Sequence, residues 1–137
     1  MSSDLDSASG DQQGWEAEAR ARWGETDAYK ESSRRTRDYT PEQWEAIQAE
    51  MEAIEARFAE LLQSGAAPDS PEAMDAAESA RRHIHRRYYP CSHAMHAGLA
   101  EMYTADPRFR AHYEERAEGL ARFVADAIRA NLARAEP

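Results

Sequence analysis

The spacing of apolar residues between Thr40 and Gly65 constrains the fold more than any other feature of the sequence. Thr40, Pro41 and Gln43 are typical of a helix N-terminus, since they supply a capping hydroxyl, a first-turn proline and a capping-box partner. Gly65 supplies a stop at the other end. The apolar residues between these ends recur at steps of three and four, and they are Trp44, Ile47, Met51, Ile54, Phe58 and Leu61. One continuous apolar face of about five turns predicts a long helix that packs against a core.

Shorter stretches of the same pattern follow from Ser70 onward. Ser70 and Pro71 predict the start of a second helix, Pro90 stops it, and a third helix is predicted to begin just past Pro90. Asp106 caps a fourth helix, and Gly119 precedes the last one. The predicted inward residues are Met74, Ala77, Ile84 and Tyr88, then Met95, Leu99 and Met102, then Phe109 and Tyr113, and finally Leu120, Phe123, Val124, Ala127, Ile128 and Leu132. With no competing strand alternation, the predicted fold class is all-α, with four or five helices around one core.

The N-terminal part of the chain has a different composition. Residues 1–14 are polar and lack an apolar period, which predicts a disordered tail. Residues 15–39 alternate charges with few aliphatic side chains, which predicts a marginally ordered segment, and residues 40–137 form the predicted helical domain. The aromatic residues of the marginal segment are Trp15, Trp23, Tyr29 and Tyr39. Two interpretations stay open: these rings close over a large apolar ligand, or they pack on the domain.

Charge and motif content disfavour several classes of function. Seventeen basic against 26 acidic residues give a formal net charge of -9, which repels phosphate backbones and predicts no direct nucleic-acid binding. Residues 1–10 are polar and acidic and no apolar run reaches the length of a membrane span, so we expect neither export nor a membrane-spanning segment. A single cysteine favours a reducing cytoplasm. No serine elbow, phosphate loop or distinctive carboxylate pair is present, so we expect that the protein is not an enzyme and needs no cofactor. We also expect it to be cytoplasmic and monomeric in isolation.

Chemically active side chains are concentrated in the stretch HIHRRYYPCSHAMH at 83–96. If Cys91 lies at a helix N-terminus, unpaired N–H groups and the helix dipole favour its thiolate, which predicts a reactive cysteine. The alternative is a small buried hydrophobe in a helix corner, and both interpretations stay open. Cys91, His93 and His96 also have the spacing C-x-H-x-x-H, but this is a weak zinc signal without an evident fourth ligand, so no metal site is predicted. The histidines interpreted as ordinary are His83, His85 and His112.

Five separated blocks of the sequence occur in the order and at the spacing of a known family. They are RWGETDAYKES at 22–32, YTPEQW at 39–44, AMDAAE at 73–78, YYPCSHAMH at 88–96 and EMYTADPRF at 101–109. Together they resemble the TipAS family of drug-binding domains in MerR-type regulators. The resemblance implies a compact globin-like helical domain with a cleft that binds thiopeptide antibiotics such as thiostrepton. It also implies that the segment bearing W-G-x-T-x-A-Y is flexible without ligand and orders over it.

The same resemblance implies which residues contact the ligand. In thiopeptide-binding members, the cysteine of the Y-x-C-x-x-x-M-H block adds to a dehydroalanine of the antibiotic, and Cys91 occupies that position here. The other implied cleft residues are Tyr89, His93, Met95 and His96, and the implied lid residues are Trp23 and Tyr29. Met95 is alternatively a core residue.

The chain departs from the family pattern in ways that affect the predicted function. Ala80 stands where a histidine is expected, and His93 replaces an aromatic residue. Since no helix-turn-helix precedes Trp15, we expect a free ligand-binding form that sequesters the drug without contacting promoters. The predicted mechanism is noncovalent capture followed by thiolate addition, without turnover. Two alternatives stay open: a reversible binder of another bulky antibiotic or hydrophobic compound, and a helical protein-interaction or metal-sensing module.

Overall fold

The helix boundaries coincide with capping residues in the sequence. The computed structural model describes residues 26–136, where the helices are α1 (Asp27–Arg37), α2 (Pro41–Gln63), α3 (Pro71–Arg87), α4 (His93–Ala105), α5 (Pro107–Arg116) and α6 (Leu120–Ala135). The side chains of Thr40, Ser70 and Ser92 each accept a hydrogen bond from a backbone N–H of the following first turn. No helix within residues 26–136 has the combined length and apolarity of a membrane span. The predicted all-α class and the predicted helix starts at Pro41 and Pro71 are confirmed.

Helix α6 lies at the centre of the core, against α2, α3, α4 and α5. Its Phe123 ring meets Phe58 of α2 edge-on, with ring centroids 6.4 Å apart and ring planes at 81°. Alanines with no exposed surface let the helices approach closely, and they are Ala73, Ala77, Ala100, Ala125 and Ala127. All predicted inward residues of α2 and α6 are buried or half-buried. Periodicity therefore identified the core faces of both helices.

The predicted inward face of α4 is partly right, because Leu99 and Met102 are half-buried and Met95 is not. Met95 is 39% exposed, whereas His96 and Ala100 are buried. The side chains at 96, 100 and 103 share one face of a helix, and that face is the one directed toward the core. The interface between α4 and α6 uses small residues such as Ala100 and Ala121, so large apolar side chains did not mark it in the sequence.

Helix α1 is attached to the C-terminal end of α3. Arg35 Nη1 donates a hydrogen bond to the His85 carbonyl oxygen over 2.8 Å, and Tyr39 Oη donates one to the Arg87 carbonyl oxygen. Carbonyl groups in the last turn of a helix lack partners within the helix, so both side chains also cap α3. α1 occupies part of the predicted marginal segment 15–39, whereas the predicted tail 1–14, Trp15 and Trp23 lie outside the described residues.

Candidate functional site

The backbone of Cys91 is held on both sides in the turn between α3 and α4. Ser92 is the N-cap of α4, so Cys91 lies one residue before the cap. Its N–H donates to His85 Nδ1 over 3.0 Å, and its carbonyl oxygen accepts from Arg81 Nη1 over 2.7 Å. Side chains of α3 thereby fix the position at which Cys91 enters the interior of the domain.

The Cys91 thiol does not have the environment of a reactive thiolate. The residue is 1% exposed, and burial raises the pKa of the thiol to about 11, although Arg81 opposes this shift. The thiol also donates a weak hydrogen bond to the Ser92 carbonyl oxygen, 3.6 Å away. Loss of water around the sulfur thus outweighs the nearby positive charge and opposes the helix-stabilised thiolate, and the reactivity of Cys91 stays a prediction. Cys91 is protonated at neutral pH.

The carboxylate of Glu78 is the centre of a polar network beside this turn. It accepts hydrogen bonds from Arg81 and Arg82 of the same helix. His93 Nε2 lies 2.9 Å and Asn131 Nδ2 lies 3.0 Å from Glu78 Oε1. Hydrogen bonding, first from Arg81, lowers the pKa of Glu78 well below its usual range. The network joins α3, α4 and α6, and it engages the predicted ligand residue His93 within the protein.

A narrow cleft opens between the helices and is lined by His96 of α4 but not by Cys91. Its lining residues come from α2 to α6 and are Met51, Ile54, Glu55, Phe58, Ala80, Ile84, His96, Tyr103, Tyr113, Val124 and Ile128. The cavity between them has a volume of about 20 Å³, which is room for about one water molecule. Pockets for drug-sized ligands start at about 300 Å³. A larger ligand therefore requires the cleft to widen.

Two ionisable side chains, Glu55 and His96, line this otherwise apolar and aromatic cleft. Glu55 is buried, and both its oxygens lie within 3.0 Å of His112 Nε2. This hydrogen bond raises the pKa of His112. His96 is 1% exposed, and burial lowers its pKa to about 4, so its ring is neutral at pH 7. The cleft presents one paired charge and one neutral imidazole.

The structure brings some of the predicted site residues together and not others. Tyr89, Cys91 and His96 lie around the turn between α3 and α4 and are half-buried or buried. Burial, with a smaller contribution from Cys91, raises the pKa of Tyr89 to about 12. Met95 faces solvent on the opposite side of α4. Tyr29 is half-buried on α1, where its N–H donates to the Thr26 hydroxyl, and Trp23 lies outside the described residues.

Sequence reasoning missed Glu55, Glu78 and Arg81. Glu55 interrupts the apolar face of α2, and an acid within an apolar stripe is a usable signal for a buried partner. Glu78 and Arg81 are three residues apart on α3, the spacing of a helical ion pair. Their contacts with Asn131 and with the Cys91 carbonyl have no such local signal. In the part of the chain that the structure describes, no three His, Cys, Asp or Glu side chains cluster as metal ligands would.

A mostly apolar cleft with a few polar groups between helices is a feature of small-molecule recognition domains. The profile of the TipAS antibiotic-recognition domain matches residues 15–131. The chain belongs to this family, and the predicted family and globin-like all-α class are confirmed.

Relatives and solved structures agree with this placement. The chain is 45% identical over 123 residues to the HTH-type transcriptional activator TipA of Streptomyces coelicolor, which covers 90% of this chain and 49% of that protein. It is 35% identical over 117 residues to the HTH-type transcriptional activator mta of Bacillus subtilis, with 85% and 44% covered. TipAS from Streptomyces lividans in complex with nosiheptide matches with a TM-score of 0.85 and 44% identity over 91% of this chain and 87% of that one. The chain thus spans about half the length of the curated relatives it matches.

Proposed function

We propose that this chain recognises and sequesters thiopeptide-type macrocyclic antibiotics, as the drug-recognition domain of a MerR-type regulator or as its free short form. The observation that carries the proposal is the similarity to TipAS in complex with the thiopeptide nosiheptide, with a TM-score of 0.85 over 91% of the chain. The mostly apolar lining of the cleft supports it, because ligand sites are lined predominantly by hydrophobic and aromatic side chains. We place the protein in the cytoplasm, where a lone cysteine stays reduced.

Noncovalent binding comes first in the proposed mechanism. The macrocycle enters between α2, α4 and α6, and apolar side chains such as Ile54 and Ile84 are displaced as the cleft widens. Burial of apolar surface of the ligand supplies the driving force. Segment 15–39, with Trp23 and Tyr29, then orders over the ligand. α1 suits this movement because none of its described residues is buried.

Covalent capture by Cys91 follows in the proposed mechanism. The thiol loses its proton to solvent, the sulfur adds to the β-carbon of a dehydroalanine, the carbon–carbon π bond breaks, and the α-carbon takes up a proton. No group leaves, so the adduct has the summed mass of protein and antibiotic. Since the buried thiol is protonated at neutral pH, the step requires the bound state to expose it. Each chain captures one ligand without turnover, and it is not an enzyme.

Intact mass under denaturing conditions tests the proposal. The wild-type chain and Cys91→Ser are incubated with thiostrepton side by side, and we expect an adduct on the wild type alone. Because the thiolate is the attacking form, the rate of adduct formation is expected to rise with pH. An adduct on both proteins would place the attachment elsewhere. The absence of an adduct on both, together with no shift in melting temperature, would refute binding of this antibiotic.

Reversible binding of a bulky antibiotic is the second candidate, and the burial of Cys91 favours it. A thiol that is 1% exposed with a pKa of about 11 attacks slowly. Under this alternative, thiostrepton raises the melting temperature of the wild type and of Cys91→Ser equally, without a change in mass. A shift confined to the wild type would favour covalent capture instead.

A further inference from the structure

The carboxylate on the cleft already has a partner within the protein. Glu55 is paired with His112. The rings of Tyr103 and Tyr113 pack on each other with centroids 5.3 Å apart. The remaining lining residues, apart from His96, are apolar. A ligand therefore gains little from Glu55, because a new hydrogen bond would replace one that exists.

His96 is the exception on this cleft. Its ring lines the cleft and is 1% exposed, yet its Nδ1 atom has no hydrogen-bond partner within the described chain. Glu78 and Arg81 lie near enough to influence its protonation, but both are engaged with each other and with the turn at Cys91. Buried polar groups without partners are rare because they cost free energy, and a bound group of the right polarity recovers that cost.

We infer that His96 determines ligand specificity in this cleft by hydrogen-bonding to a backbone amide of a macrocyclic peptide. The inference rests on the proposed function and adds the chemical group of the ligand that His96 recognises. A neutral imidazole has one nitrogen that donates and one that accepts, which matches the N–H and C=O of an amide. The apolar walls disfavour a charged ligand group at the same place, because it would lose its hydration without a counter-charge. Since Nδ1 is inaccessible to water in the ligand-free chain, the ligand displaces no solvent hydrogen bond there.

Calorimetric titration with nosiheptide tests the inference. All proteins carry Cys91→Ser, so that only reversible affinity is measured. Adding His96→Leu keeps the side-chain volume close to that of histidine and removes its nitrogens, and we expect the affinity to fall about tenfold, the worth of one hydrogen bond in a dry site. The melting temperature of the ligand-free chain is expected to hold or rise, because an unpaired buried group is removed. Adding His96→Asn instead restores an amide near the position of Nδ1 and is expected to recover most of the affinity.

His83→Leu is the matched control. His83 is also 1% exposed and its Nδ1 atom has no hydrogen-bond partner within the described chain, but it does not line the cleft, and its Nε2 atom lies 3.2 Å from Glu50 Oε1. We expect His83→Leu to leave the affinity for nosiheptide unchanged. Equal affinities of the His96→Leu protein and its parent would overturn the inference while leaving the proposed function intact. A joint loss of affinity and melting temperature without recovery by His96→Asn would make His96 structural and also overturn it. If the wild-type chain does not bind nosiheptide, both the proposed function and the inference fail for this ligand.

Discussion

Helices α6 and α1 represent the two extremes of burial in this domain. Eight of the sixteen residues of α6 are buried, and the helix lies against α2 to α5. None of the eleven residues of α1 is buried, and polar contacts from Arg35 and from the adjacent Tyr39 attach this end of the chain to α3. Because apolar burial supplies most of the free energy of folding, the stability of the domain resides around α6. α1 can therefore leave or rearrange without unfolding the core.

Truncating the centre of α6 gives the largest expected effect. Phe123→Ala removes a buried ring that packs on Phe58, and we expect a loss of about 3–5 kcal/mol in the free energy of unfolding. Urea unfolding followed by circular dichroism measures it. Arg122→Ala on the exposed side of the same helix is the control, with a change expected within about 0.5 kcal/mol. If a substitution in α1 lowered the free energy of unfolding by the same amount, the two helices would not differ in their contribution to stability.

The buried histidine of α4 makes the core sensitive to acid. The folded pKa of His96 is about 4 and its ordinary value is 6.5, so below pH 6.5 the unfolded chain binds a proton that the folded chain excludes. His96 therefore does not reduce the free energy of unfolding above pH 6.5. As the pH falls from 6.5 toward 4, the free energy of unfolding decreases, by about 2 kcal/mol at pH 5. His112 acts in the opposite direction, because its raised pKa favours the folded state as it gains a proton.

Comparison of two proteins isolates the contribution of His96. Urea unfolding measures the free energy of unfolding of the wild type and of His96→Leu at pH 7.5 and at pH 5. The difference between the two proteins is then compared at the two pH values. His112 is present in both proteins, so its contribution cancels in this difference. We expect the wild type to lose about 2 kcal/mol relative to His96→Leu over this range. If the difference between the two proteins stays constant with pH, His96 is not held neutral by burial.

Removing the charge of Glu78 is expected to have a smaller effect. Glu78→Gln replaces the carboxylate that is hydrogen-bonded to Arg81, His93 and Asn131. An amide has only one acceptor oxygen and cannot accept hydrogen bonds from all three. Since the pair is partly exposed, we expect a loss of about 1–2 kcal/mol, measured by urea unfolding. Glu101→Gln, at a more exposed ion pair with Arg129, is the control and is expected to cost less than about 1 kcal/mol.

A second measurement on Glu78→Gln reports on the turn at Cys91. Arg81 joins Glu78 to the Cys91 carbonyl oxygen, so loss of the carboxylate is expected to loosen the turn and to speed alkylation of Cys91 by iodoacetamide at pH 8. An unchanged alkylation rate would show that the network stabilises the helices without holding the cysteine.

The sequence predicted the long periodic elements well and the polar contacts poorly. The face of α2 from Trp44 to Leu61 and the face of α6 follow from spacing alone, because burial of a helix stripe leaves a period in the chain. The fully buried positions of α4 were missed because they hold His96 and Ala100, which carry no strong hydrophobic signal. The pairing of Glu78 with Asn131 joins residues 53 apart, and tertiary packing alone brings them together. For the same reason, position before a helix did not predict the raised pKa of Cys91, which burial controls.

Loosening α1 is expected to have the smallest effect on global stability. Arg35→Ala removes the hydrogen bond to the His85 carbonyl oxygen and the ion pair with Glu31, and we expect less than about 1 kcal/mol of global loss, since α1 buries no residue in the core. Hydrogen exchange followed by mass spectrometry measures the local effect, which is expected to be faster exchange in α1 with unchanged exchange in α6. Arg37→Ala, an exposed substitution at the same end of the helix, is the control. Faster exchange in both helices would mean that α1 and α6 open as one unit. Ordering of the N-terminal segment by a ligand would then have to act on the whole domain, because neither helix could rearrange while the other stayed folded.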